Sequence, residues 1–152
     1  MIRRRSVVEF IKQSLLFPIL QSVHIIGLTL LVGTIALADF RLLGVGMRRH
    51  AAGDLTSRLA PWTSVGLVTV LVTGPLLFGA DLARYLNNPA FLLKMGLLAV
   101  ALALHFTLHR RATSSITFKP AMQKLAAVLS LILWSGVLLA GRAIADFDIR
   151  PT

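Results

Sequence analysis

The stretch LLFPILQSVHIIGLTLLVGTIALA, residues 15–38, decides the fold. Its 24 residues exceed the roughly 20 that an α-helix needs to cross the hydrocarbon core of a bilayer. A basic start and the Ala36-Leu37-Ala38 sequence give it a superficial likeness to a signal peptide. The apolar region of a signal, however, runs only about 7–15 residues. The stretch therefore reads as a membrane helix.

Working outward, three more apolar segments follow, and the predicted helices are Leu16–Phe40, Trp62–Ala80, Ala90–His109 and Met122–Asp146. Each suits the roughly 17–25 residues of a span. Asn87-Asn88-Pro89 breaks the chain before the third helix, Lys119-Pro120 before the fourth, and Pro61-Trp62 opens the second with an indole at headgroup depth. Arg3 to Gln13 carries spaced apolar residues and reads as a short interfacial lead-in. Gly27, Gly33, Gly66, Gly74, Gly136, Ala140 and Gly141 mark faces where backbones can approach closely. Gly74-Pro75 is expected to kink the second helix and free a carbonyl one turn earlier. The predicted fold is all-α: an integral membrane four-helix transmembrane bundle, a single membrane domain over residues 1–152.

Composition agrees. The chain is 56% hydrophobic and 14% charged, against roughly 25% charged in soluble domains, and its mean hydropathy is +0.79. A net charge of +10 raises nucleic acid as a partner, yet the basic residues stand in short runs between apolar segments: Arg3-Arg4-Arg5, Arg48-Arg49, Arg110-Arg111. Such runs meet lipid phosphates and set topology. No aromatic-interleaved basic surface is present to stack bases, so nucleic acid is set aside. The lack of cysteine excludes disulfides, Cys-ligated zinc, iron–sulfur clusters and covalently attached haem.

Function has to be sought in the few ionisable groups that lipid should exclude: His24, Lys94, His105 and Arg142. A charge at the bilayer centre costs about 2.5–3.5 kcal/mol on insertion scales, so each needs a partner or a purpose. Counting from the side of the termini, His24 lies about 12 Å along the first helix at 1.5 Å per residue. Thr73, Lys94, Met95 and Arg142 fall near that end, and Gln21 shares a face with His24. Two cations beside an imidazole call for an anionic guest. Haem b answers that description, its iron taking an imidazole and its propionates taking Lys94 and Arg142. The competing reading pairs Arg142 with Asp146 and Lys94 with Asp81. His105 lies deeper than His24 by about 10 Å, too far for simple ligation of one iron by both rings, so His24 is the sole protein ligand or Met95 supplies the second. His109 and His50 read as solvated histidines. Copper, which His and Met can ligate, finds a poor site in His24 and Met95 alone.

At these residues the chain resembles the CopD/HemJ-type group of four-helix bacterial membrane proteins. The likeness lies in HIIGLTLLVGTIALADFRLL, residues 24–43, a His opening a Gly-bearing helix that ends in Arg41, and in KMGLLAVALALH, residues 94–105, a Lys followed eleven residues later by a His. The resemblance implies roles in haem b binding and activity for His24, Lys94 and His105, and a multi-pass place in the bacterial inner membrane. Asp39-Phe40 replace the proline of that pattern just before the Arg, and Phe106 alone represents the aromatics beside the third-helix His. TGPLLF, NPAFLLKM and GRAIADF are similar instead to a neighbouring family of uncharacterised four-helix membrane proteins.

The expectation is a haem b-binding membrane protein acting in electron transfer or porphyrin oxidation, with a quinone or a larger membrane complex as partner. The alternatives are a cofactor-free accessory subunit docking through its Gly faces, and a small transporter. The latter is disfavoured because no carboxylate stands mid-span. Eight Lys and Arg lie on each side of the spans. Setting aside the embedded Lys94 and Arg142 leaves six on the terminus side against eight, which favours both termini outside. So near a balance also accommodates dual insertion and an antiparallel homo-oligomer. A reporter fused at Thr152 is therefore expected to be active on the outer side and silent in the cytoplasm. Strong cytoplasmic signal would reverse the topology.

Overall fold

Four helices of this chain are long and apolar enough to cross a membrane: Leu16–Leu42, Asp54–Ala80, Pro89–Thr107 and Pro120–Ile144. They are seen in a computed structural model that describes residues 15–46, 52–80, 82–113 and 120–146. In chain order the elements are α1 (Leu16–Leu42), α2 (Ala52–Ala80), the short α3 (Leu82–Leu86), α4 (Pro89–Thr113) and α5 (Pro120–Asp146). All elements among the described residues are helical, and a four-helix transmembrane bundle is the architecture. The interfacial lead-in expected over Arg3–Gln13, His50 and Asp81 lie outside the described residues.

The boundaries hold at Leu16, Ala80 and Asp146, and α4 opens on Pro89 as its missing N–H allows. One boundary moves far. α2 begins at Ala52, ten residues before Trp62, and carries Pro61 and Pro75 in its interior. Each proline removes one backbone bond to the carbonyl four residues back. Hydroxyls relieve the turn around Pro61: Thr63 Oγ1 donates to the Leu59 carbonyl at 3.0 Å and Ser64 Oγ to the Ala60 carbonyl at 2.9 Å. Such local donors are what lets proline persist in membrane helices. Asp54 in the first turn suits the positive end of the helix. After α1 the chain turns through Gly44 and Gly46, whose φ angles of 82° and 70° lie in the left-handed region that glycine enters freely.

The bundle is two antiparallel pairs, α1 with α2 and α4 with α5, joined mainly where α1 meets α5. Between α1 and α2 the backbones touch. A Cβ on Gly66 would stand 2.7 Å from the Leu31 nitrogen and 2.9 Å from the Gly27 carbonyl oxygen, and one on Gly27 would stand 2.6 Å from Thr69 Cγ2. Small residues drive such approaches in lipid, where apolar burial between helices brings little gain. Gly136 does similar work on α5 against Leu97 of α4, at 3.1 Å. Gly33, expected on a packing face, meets nothing within 4 Å and looks outward. Where the pairs join, Leu31, Ile35, Val70, Ala101, Trp134 and Val137 form the buried core. At the terminus-side end α2 and α4 meet through aromatic rings: Phe78 stacks on Phe91 at 5.3 Å, and Tyr85 of α3 lies 5.2 Å from Phe91.

Gly66→Ala is expected to lower stability in detergent by about 1–3 kcal/mol, the usual cost of overpacking, because only backbone atoms could yield. Gly33→Ala is expected to leave stability unchanged or raise it by up to about 1 kcal/mol through helix propensity. Thermal unfolding of the two variants side by side checks the contrast.

Candidate functional site

The close α1–α2 seam sets the first polar contact. His24 Nδ1 lies 2.7 Å from Thr73 Oγ1, and the Thr73 hydroxyl lies 2.6 Å from the Thr69 carbonyl oxygen. A hydroxyl has one proton, and a carbonyl can only accept. Thr73 therefore donates to Thr69 and accepts from His24, so the imidazole proton sits on Nδ1. In the neutral ring the lone pair is then left on Nε2. Gly74 backs the ring: a Cβ there would stand 3.5 Å from His24 Cε1, in ordinary contact. The tautomer of His24 is thus set by its neighbour.

Lys94 completes this end. Its stem and ammonium run along Gly141 of α5, with Nζ 3.5 Å, Cε 3.6 Å and Cδ 3.8 Å from where a Cβ would be. A side chain at 141 would lie in the path of that lysine. Asn88 ties the start of α4 to the end of α5. Its Nδ2 donates to the Ile144 carbonyl at 2.9 Å, while its Oδ1 accepts from the backbone N–H of Ala90 at 3.0 Å and of Phe91 at 3.3 Å. That cap fixes the first turn of α4 and, with it, the place of Lys94.

The other expected members of the site are dispersed. Arg142 is not turned to the group around His24; it pairs with Asp146 at 3.1 Å, with the two side chains 72% and 61% exposed. The spacing explains this, since residues four apart on a helix face one another. Met95 is 46% exposed, and Gln21 is exposed. His105 is half-buried with its ring edge-on to Phe106 at 5.7 Å. It stands eleven residues beyond Lys94 on α4, about 16 Å along the axis at 1.5 Å per residue. Nothing is described of the His109 side chain. Among the described residues no group of three or more His, Cys, Asp or Glu gathers that could hold a metal ion.

One residue was passed over in sequence. Asp39 is 5% exposed, and its Oδ2 has no hydrogen-bond partner among the described residues. Ser130 of α5 lies beside the same carboxyl. Trp134, one turn further along α5, is 2% exposed, and its indole Nε1 is likewise without a partner. Nearby in the α1–α2 seam, Thr63 Oγ1 donates to Thr34 Oγ1 at 2.9 Å, both buried. A signal was present in the chain: Gly27, Leu31, Ile35 and Asp39 step by four along one face. Asp39 is a buried carboxylate in the last turn of α1, not mid-span.

A family model described as Family of unknown function (DUF6644) matches residues 12–147. Comparison with the curated proteins finds no match. Comparison with the solved structures finds none either.

Nitrogen NMR of histidine-labelled protein checks the tautomer. His24 is expected in the Nδ1–H form in wild type, and Thr73→Val, which removes the acceptor, should shift it toward the other tautomer. Thr73→Ser should restore the wild-type signals. Identical His24 signals in wild type and Thr73→Val would remove the hydroxyl from its role.

Proposed function

The chain belongs to the DUF6644 family of unknown function, and we propose that this member binds haem b in the membrane through His24 and serves electron transfer or porphyrin oxidation. The observation that carries the reading is the Thr73 hydroxyl. By taking the Nδ1 proton as acceptor it leaves Nε2 with the lone pair, which is the state an iron ligand must have, oriented by its second hydrogen bond. Haem b, when bound, supplies a one-electron redox centre. The protein's part is to orient that imidazole and to balance charge.

Lys94 provides the balance. Its ammonium, laid along Gly141 at the same end of the bundle as His24, is suited to a carboxylate of haem or of a porphyrin, with which it would make a charge-assisted hydrogen bond. Arg142 has its own carboxylate in Asp146, so the clamp rests on Lys94 alone. His24 acts as the sole histidine ligand, because His105 belongs to a different level of α4. A quinone is the natural exchange partner for electrons at this depth. The resemblance to the CopD/HemJ-type group and a bacterial inner membrane location belong to the same proposal.

Purified wild-type protein in detergent is expected to show a b-type absorption band on reduction. His24→Ala should lose it and His50→Ala should keep it. Lys94→Gln should release haem to an acceptor protein roughly ten- to hundredfold faster, the equivalent of a charged hydrogen bond of about 1.5–3 kcal/mol, while Arg142→Gln stays within about twofold, as an exposed pair implies. A colourless wild type after growth with added haem would overturn the reading.

A further inference from the structure

We propose that Asp39, Ser130 and Trp134 form a second site, a membrane-embedded proton-exchange site at the loop end of the bundle, distinct from the group around His24. Asp39 stands in the last turn of α1, yet it is covered by α5 at Ser130, ten residues in from Pro120, or about 15 Å along that helix. Ionisable side chains held inside a bundle, away from lipid, mark proton or ion pathways. Two unpartnered buried atoms belong to the region where α1 packs on α5, the acceptor Oδ2 of Asp39 and the donor Nε1–H of Trp134, whose indole shares the core with Ile35, one turn before Asp39. Buried polar atoms in folded proteins nearly always find a partner, so each calls for one.

The pair also selects the guest. A metal cation would satisfy Oδ2 but would be repelled by the hydrogen of the indole, and an anion would satisfy the indole but not the carboxylate. A water molecule serves both, accepting from Trp134 and donating to Asp39. Protonation then needs no other reactant. An O–H bond of hydronium breaks, an O–H bond forms at Oδ2, and a neutral carboxylic acid and a water remain. Release runs the same step backwards, and nothing is oxidised or reduced. The Ser130 hydroxyl, which can donate to the carboxylate or accept from the acid, stabilises either state.

Several charged or titratable side chains share this end of the bundle: Arg41 on α1, Asp54 and Arg58 on α2, His105 on α4 and Lys124 on α5. On α2, the register that pairs His24 with Thr73 and Thr34 with Thr63 brings Arg58 to the level of Asp39, with its side chain exposed. With these groups at the same end, the carboxyl itself has to be read out.

Infrared spectroscopy of the full chain in detergent, titrated with pH, does this without reference to haem. Wild type is expected to show a protonated-carboxyl C=O band that shifts in D2O and disappears as pH rises. Asp39→Asn should lose that band, whereas Asp54→Asn and Asp146→Asn should keep it. Trp134→Phe, which removes only the indole side of the cluster, should move the band and its titration midpoint. Should Asp39→Asn fail to fold, Asp39→Glu replaces it and should displace the band. Absence of the band in wild type, a band that does not respond to D2O, or a band unmoved by the Asp39 and Trp134 replacements would overturn the proposal.

Discussion

The contact between the α1 and α2 backbones at Gly27 and Gly66 is the constraint on which the rest depends. With 2.7–2.9 Å separating a would-be Gly66 Cβ from backbone atoms of α1, the two helices have one spacing and one register. Three further contacts keep that register, His24 with Thr73, Gly27 with Thr69 and Thr34 with Thr63. Moving along α1 by three or four residues moves back along α2 by as many. A 2.7 Å hydrogen bond from an imidazole to a short threonine side chain is possible only because the backbones are this close. Bulk at either glycine would open the seam and release both polar contacts together. In a membrane such hydrogen bonds contribute modestly, on the order of 0.6 kcal/mol on average, so packing holds the polar groups in place.

The bundle sorts its polar residues into two levels. At the terminus end stand His24, Thr73, Lys94 and Asn88, with His24 bonded to Thr73, Thr73 to Thr69 and Asn88 to Ile144. At the loop end Asp39, Ser130 and Trp134 sit against the apolar core formed by Leu31, Ile35 and Val137. The glycines have parallel roles. Gly74 backs His24 and Gly141 backs Lys94, so two of the small residues make room for polar side chains as well as for helix packing. Because Gly27 and Gly66 are spent inside the bundle, they offer no face for docking to another protein, and among the described residues the open glycines are Gly33, Gly79 and Gly96 in the helices and Gly44 and Gly46 in the turn after α1.

The short distances along one helix were easy to foresee, and the distances between helices were not. Arg142 and Asp146 are four residues apart, and they pair. Asn88 before Pro89 is a cap by its position, and it caps. Whether His24 meets Thr73, or Lys94 lies along Gly141, depends on how four helices are staggered. Asp39 shows the difficulty well. Measured on α1 it belongs at the membrane surface, three residues from the helix end. Measured on α5 it lies deep, because the helices do not start at a common level.

The sequence by itself determined the all-α class, the four spans, the separation of polar from apolar text and the identity of the candidate imidazole and lysine. These follow from hydropathy and helix length, which are properties of each segment alone. It also carried, unrecognised, the four-residue stripe that ends in Asp39. The tertiary structure alone decided that Pro61 lies inside α2, that Gly33 faces outward, that Arg142 turns away from the site and that His24 keeps its proton on Nδ1. Each of these depends on a neighbour from elsewhere in the chain or on hydrogen bonds that a new partner supplies. In lipid, where apolar surface is equally content against a helix or a chain of methylenes, that choice of neighbour is made by close fit and by the pairing of the few polar groups, neither of which hydropathy records.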